Sequence, residues 1–260
     1  MPTKLGQNFL KDLVVLEKII QASRPKEADF VIEIGPGEGV LTERLAQFAQ
    51  KVIAVELDST LIPNLEGKFS SAPNVDIIQG DVLRINLPKL IEQQGKTANR
   101  YKLIANIPYY ITSPIIRLFL EQETQPQEMI LMIQKEVAER IVAQKGQMSI
   151  LAVSVGYYAT SEIVLAVGKE CFSPAPKVDS AVIRIIPRRK YDKAEDKKFF
   201  RIVKAGFSAK RKTLLNNLST SLQIKKEAVE KILASCSFSA NTRAQELTVS
   251  DWEKLSLLFR

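Results

Sequence analysis

Residues 30–49 read FVIEIGPGEGVLTERLAQFA. FVIEIG is a short apolar run, the mark of a buried strand. Gly35-Pro36-Gly37-Glu38-Gly39 then breaks it, and VLTERLAQFA resumes with helical spacing. Glycines at 35, 37 and 39 let the backbone approach a ligand, and the amides that open the helix offer donors to it. The spacing is G-x-G-x-G, not the G-x-G-x-x-G of the dinucleotide fingerprint. Taken alone, the loop leaves open a tight strand–helix turn that holds nothing.

The same alternation spreads in both directions. DLVVLEKIIQA (12–22) precedes it with helical spacing. KVIAVELD (51–58) is a second strand with a helix near 59–70, and VDIIQGD (75–81) a third strand. YKLIANIPYY (101–110) is a fourth strand running into a proline turn, with a helix from about Thr112. EMILMIQ (128–134) is a fifth strand and KEVAERIVA a helix, whereas 147–158 fits helix or strand equally. EIVLAVG (162–168) and SAVIRII (180–186) are strands joined by the loop CFSPAPKVD, which predicts an antiparallel edge. Through residue 145 the order is that of an α/β fold: a Rossmann-like, mostly parallel sheet wrapped by helices. After PRRKYDKAED only helical patterns remain, in DKKFFRIVKAGFS, KRKTLLNNLSTSL, KEAVEKILASC and SDWEKLSLLFR. The expected division is therefore 1–187, a catalytic α/β domain, and 188–260, a small α-helical domain.

Composition narrows the chemistry. The chain has 260 residues, 45% hydrophobic and 25% charged, enough to bury a core. No apolar run reaches the roughly 18 residues of a membrane span. The start, MPTKLGQNFLKD, lacks the apolar stretch of a signal peptide, so a cytoplasmic location and no membrane partner are expected. There are no histidines, which removes a Ser-His-Asp triad, a Cys-His pair and an HExxH zinc site. Cys171 and Cys236 have no cysteine neighbour at metal spacing; no metal is expected and both read as reduced thiols. The net charge is +8, and its distribution is uneven: residues 1–187 hold 20 basic and 21 acidic residues, residues 188–260 hold 17 and 8. A surplus confined to one domain points to a polyanion partner.

Three strand ends add chemistry to the glycine loop. Glu56, 19 residues past Gly37, closes the second strand, where an acid can accept from two ribose hydroxyls. Asp81 closes the third, where an acid can accept from an adenine amino group. Both sit where ligands of parallel sheets bind. An adenosine-containing cofactor is implied, with NAD and S-adenosylmethionine both compatible to this point. The fourth strand ends in Asn106-Ile107-Pro108-Tyr109. Methylating an adenine N6 requires its lone pair to leave conjugation and face the donor. Asn106 Oδ1 and the Ile107 carbonyl can accept both N6 hydrogens, with Pro108 setting the turn and Tyr109 offering a flat face to the base. No histidine base is needed, because a positioned cofactor supplies the methyl group.

The chain resembles the small-subunit ribosomal RNA adenine N6,N6-dimethyltransferase family over about residues 3–260. The resemblance rests on GQNFL (6–10), EIGPGEGVLT (33–42), VELD (55–58), GDVL (80–83), NIPYYITSPII (106–116), MIQKEVAERI (132–141), CFSPAPKVDSAVIR (171–184) and FSAKRKTLLNNL (207–218). It implies S-adenosylmethionine as cofactor and dimethylation of two adjacent adenosines in a hairpin loop near the 3′ end of small-subunit rRNA. The partner would be a 30S-type particle and the protein a monomer with a role in small-subunit biogenesis. Asn8 and Leu10 would close over the cofactor, Gly35 would lie beneath its methionine part, Glu56 would take its ribose, and Gly37 and Leu57 would also contact it. Asp81 and Val82 would bracket its base, and Asn106 would sit at the methyl end. Asn106, Ile107, Pro108 and Tyr109 would hold the target adenine, with Phe172 stacking opposite Tyr109. Arg188 and Arg189 in the linker, with Lys210, Arg211 and Lys212 at a helix start, would hold RNA phosphates.

Two departures stand out. Five residues precede Gly6, so the basic N-terminal arm common in the family is expected to be nearly absent. Ala209-Lys210-Arg211-Lys212 stands where an additional arginine is common, which weakens bidentate phosphate recognition. Three rivals remain open here: a 23S rRNA adenine methyltransferase sharing the Asn-Ile-Pro-Tyr turn, a binding-only protein with an inactive core, and an NAD oxidoreductase.

Overall fold

The computed structural model describes residues 8–27, 29–93, 101–188 and 191–259. The described residues form two compact units, one drawn from Met1–Ala138 with Ala159–Arg188, the other from Glu139–Tyr158 with Arg189–Arg260. This differs from a single cut between 187 and 188: a helical stretch from mid-chain groups with the C-terminal helices, and Arg188 belongs with the sheet.

The first unit begins with β1 (Phe9–Leu10) and α1 (Leu13–Ser23). It continues through β2 (Phe30–Ile34), α2 (Val40–Ala46), β3 (Lys51–Glu56), α3 (Ile62–Phe69), β4 (Val75–Gln79), α4 (Leu87–Gln93) and β5 (Tyr101–Asn106). After a 3₁₀ turn at Tyr109–Ile111 come α5 (Thr112–Leu120), β6 (Glu128–Gln134) and α6 (Lys135–Ile141), within which the division falls. The second unit takes α7 (Ile150–Tyr158), and the chain returns to the first for β7 (Ala159–Val167), β8 (Phe172–Ser173) and β9 (Ser180–Pro187).

Seven strands form one sheet in the order β4-β3-β2-β5-β6-β9-β7. The first five are parallel, and β9 runs antiparallel to both β6 and β7, the expected edge. β2 is buried on both faces, which is why FVIEI shows no polar alternation except Glu33. α1 starts where the Asp12 carboxylate accepts from the Val14 and Val15 amides at 2.8 and 3.2 Å, and those bonds hold its pKa below the usual value. At the sheet's opposite end the buried Lys102 ammonium lies 2.8 Å from Asp29 and donates to the carbonyls of Ser23 and Arg24. That cation ties the end of α1 to the base of β5.

β1 and β8 form a separate two-stranded antiparallel ribbon, Phe9 opposite Ser173 and Leu10 opposite Phe172. It joins segments more than 160 residues apart and has no signature in local sequence.

The second unit adds α8 (Lys193–Gly206), α9 (Leu214–Leu222), α10 (Lys226–Ser235) and α11 (Val249–Leu258). Its core includes Phe199, Leu214, Leu218, Val229, Leu233, Trp252 and Leu255. Tyr157 stacks on Phe199 with ring centroids 3.9 Å apart. The Tyr157 and Tyr158 hydroxyls donate to the buried Asp196 carboxylate at 2.9 and 2.7 Å. These contacts hold α7 against α8. Gly206 is required by close approach: a Cβ there would lie 2.3 Å from the Trp252 ring. Among the described residues no helix is long and apolar enough to cross a membrane.

Candidate active site

The carboxyl ends of β2, β3 and β5 and the turn after β4 open into one cavity. Its lining includes Asn8, Leu10, Gly35, Gly37, Glu56, Leu57, Asp81, Val82, Asn106, Ile107, Pro108, Tyr109 and Phe172. Every residue expected to touch the cofactor or target base is thus on one surface.

Each is placed by an identifiable local cause. Gly35, Gly37 and Gly39 have φ of 66°, 59° and 73°, the left-handed region, which lets the loop turn directly from β2 into α2. At Gly37 the fit is close from above as well, since a Cβ would meet the Phe9 ring at 2.8 Å. Glu56, the last residue of β3, is 2% exposed. Its Oε2 accepts from the Gly37 amide at 3.2 Å and its Oε1 from the Asp58 amide at 2.8 Å. Each carboxylate oxygen keeps acceptor capacity for a vicinal diol. Asp81 lies two residues past β4, partly exposed, with Oδ1 accepting from the Leu83 amide at 3.0 Å. Val82 beside it is buried, while Leu57 is exposed.

Asn106 ends β5 opposite Met132, and the Ile107 amide donates to the Met132 carbonyl at 3.1 Å. The strand pairing therefore persists one residue into the turn. Asn106 Nδ2 donates to the Asn8 carbonyl at 3.4 Å, which fixes the amide's orientation and leaves Oδ1 as its acceptor end. The Tyr109 hydroxyl shares a 2.8 Å hydrogen bond with Ser180 Oγ. Phe172 is buried; it belongs to the core and also lines the cavity, while its backbone pairs with Leu10. The ribbon thus connects the segment expected over the cofactor with the aromatic expected against the base. Gly6 and Gln7 of GQNFL lie outside the described residues.

Glu33 is a cavity residue that sequence reading passed over as part of a strand. It is buried in the middle of the sheet, and its Oε2 has no hydrogen-bond partner among the described residues. Burial pushes its pKa up to about 8, the Glu56 carboxylate adds to the rise, and the Thr42 hydroxyl and Lys68 oppose it. A lone acid inside an otherwise apolar strand was the available signal.

The sequence profile of the family described as ribosomal RNA adenine dimethylase matches residues 1–259. The chain belongs to the ribosomal RNA adenine dimethylase family. Among its relatives, the ribosomal RNA small subunit methyltransferase A of Dehalococcoides mccartyi is 42% identical over 98% of this chain and 87% of that protein. The enzyme of the same name from Alkaliphilus oremlandii is also 42% identical, over 97% of this chain and 89% of that protein. Among solved structures, a dimethyladenosine transferase from Plasmodium falciparum superposes with a TM-score of 0.78 at 28% identity, covering 96% of this chain and 97% of that one. The 23S rRNA methyltransferase ErmE gives 0.76 at 27% identity, covering 96% and 99%.

The cations expected to meet RNA in this dimethylase family member are not all placed alike. Arg188 is exposed at the end of β9, its Nε donating to Thr160 Oγ1 at 3.0 Å. Arg189 lies outside the described residues. Lys210, Arg211 and Lys212 are exposed on the second unit in the turn before α9, not in the helix. Thr213 is the cap, accepting from the Asn216 amide, so α9 begins at Leu214. Asn217 holds the turn from behind, donating to the carbonyls of Gly206 and Ala209 at 2.6 and 3.0 Å.

Proposed function

We propose that this protein is an S-adenosylmethionine-dependent N6-dimethyltransferase acting on two adjacent adenosines near the 3′ end of small-subunit rRNA. The observation that carries the reading is the Asn106–Tyr109 turn opening into the same cavity as Gly35, Glu56 and Asp81. The residues fit the cofactor. Glu56 offers two backbone-held oxygens to a ribose, Asp81 an acceptor at the base end, and Gly35 and Gly37 bare backbone between them. When bound there, S-adenosylmethionine supplies an electrophilic methyl group on a sulfonium.

The chain's own groups do the rest. Asn106 Oδ1 and the Ile107 carbonyl accept the two N6 hydrogens in the first transfer, and one of them accepts the remaining hydrogen in the second, which draws the nitrogen lone pair out of conjugation with the ring. Pro108 shapes the turn that presents that carbonyl. Tyr109 and Phe172 hold the extruded base between aromatic faces. The nitrogen gives up its proton to water after it is alkylated and a neutral thioether is what leaves, so the site needs no histidine.

The substrate is a 30S-type particle rather than 23S rRNA. Support comes from the 42% identity to small-subunit enzymes, against 27% to ErmE, and from the CFSPAPKVDS and KRKTLLNNL segments. Lys210, Arg211, Lys212, Arg188 and Arg189 meet RNA phosphates, the protein works as a cytoplasmic monomer, and the helical unit serves RNA binding. Transfer of labelled methyl groups to unmethylated small subunits, with 23S fragments in parallel, tests this. Label should appear as N6,N6-dimethyladenosine in the small-subunit RNA. Label confined to the 23S fragments would overturn the substrate assignment.

A further inference from the structure

We infer that Ser180 is a positioning residue for methyl transfer, setting the Tyr109 ring through the hydrogen bond between their hydroxyls. The inference rests on the reading of the Asn106–Tyr109 turn as the holder of the target base. The two hydroxyls are 2.8 Å apart and the residues 71 positions apart in sequence. They belong to parts of very different stiffness. Ser180 opens β9 between two neighbours, opposite Gln134 of β6 and Val167 of β7, and is fully buried. Asp179 before it is fastened too, its carbonyl accepting from the Lys135 amide at 3.0 Å and its Oδ1 from the Lys169 amide at 3.2 Å.

Tyr109 is held by a turn and not by a strand, its carbonyl accepting from Thr112 Oγ1 at 3.2 Å. It lies in a single 3₁₀ turn, partly exposed, between the proline that shapes the turn and the exposed Tyr110. The backbone bond from the Ile111 amide to the Pro108 carbonyl closes the turn but does not itself set the torsions of the Tyr109 side chain. Among the described residues, the hydrogen bond to the Tyr109 side chain is at the far end of the ring, at the hydroxyl. A phenol anchored at its oxygen can present its face to a base without swinging across the cavity. Ser180 does not line the cavity, so its hydroxyl acts through Tyr109 and not on the substrate.

The test is a double-mutant cycle in methyl transfer to unmethylated small subunits, using Ser180→Ala, Tyr109→Phe and both together. One neutral hydrogen bond predicts a fall of about five- to tenfold in kcat/KM for RNA in each single variant. The double variant should be no worse than either single one, and S-adenosylmethionine affinity should be unchanged in all three. Ser180→Thr, which keeps a hydroxyl, should recover most of the loss. Losses that multiply in the double variant overturn the inference while leaving the functional reading intact. If Ser180→Ala does not fold, Tyr109→Phe decides alone, and an unimpaired Tyr109→Phe enzyme overturns it. A wild-type protein that transfers no methyl group overturns the functional reading and this inference with it.

Discussion

The sheet unit and the helical unit keep their candidate functional groups in opposite ways. In the sheet unit the acids and the amide are gripped by backbone: Glu56 by the Gly37 and Asp58 amides, Asp81 by the Leu83 amide, Asn106 by the Asn8 carbonyl. In the helical unit the cations stand on an exposed turn that Asn217 holds, while the buried Asp196 accepts from two tyrosines of α7. A nucleoside pocket needs atoms held within fractions of an ångström. Phosphate contacts by flexible lysines tolerate more and gain their effect from charge. Substitutions should therefore cost geometry in one unit and long-range attraction in the other.

The largest effect is expected where a grip supports a whole unit. Asp196→Ala removes a buried carboxylate that accepts from two tyrosine hydroxyls, and urea denaturation should show a loss of about 3–5 kcal/mol. A loss below about 1 kcal/mol would mean that the tyrosine pair does not hold α7 in the helical group.

Glu56→Ala should raise the dissociation constant for S-adenosylmethionine on the order of 100-fold, read by calorimetry, because a held acceptor pair is removed from a buried site. Replacing Lys210, Arg211 and Lys212 together by alanine should leave that constant unchanged. RNA affinity should fall about tenfold near physiological salt, and the log–log salt slope should flatten by about 2. An unchanged slope would break the contrast between the units.

Glu33 gives a pH signature. Its unfolded carboxyl titrates near 4.5 and its folded one near 8, so the folded state holds the extra proton between these values. Its stabilising contribution is complete below about 4.5 and is lost as pH rises through 8. Apo Glu33→Gln should lie close to wild type at pH 5 and exceed it increasingly up to pH 8.5, by several kcal/mol at most in denaturant unfolding, since each pKa unit of the rise is worth about 1.4 kcal/mol. Equal stability at both values would show that the acid is solvated in the folded protein.

The two units also differed in how far they could be read from residues alone. The parallel strands were legible because burial on both faces leaves continuous apolar runs such as KVIAV and MILMI. Glu56 and Asp81 were legible because they sit at or just past the ends of those strands, whereas Glu33, inside β2, was not singled out. α7 was not: ILAVSVGYY is apolar all round and carries no period, though Ser149, whose hydroxyl accepts from the Ala152 amide at 3.2 Å, marked its start. Its membership of the helical group depends on tyrosines meeting Asp196 some 38 residues later. α4, with LPKLIEQ, is too short for its spacing to stand out. The β1–β8 ribbon and the Ser180–Tyr109 contact are tertiary, joining segments that local patterns cannot relate. The basic turn was legible as charge, but its place before α9 depends on Thr213 as the cap.

The claim on which the account rests is that the Asn106 amide holds the nitrogen that receives the methyl group. Single-turnover methyl transfer to unmethylated small subunits by Asn106→Ala, at saturating S-adenosylmethionine, tests it most directly. The rate should fall by about 10²–10³ relative to wild type while the unfolding midpoint stays close to the wild-type value. A rate within twofold of wild type would contradict it.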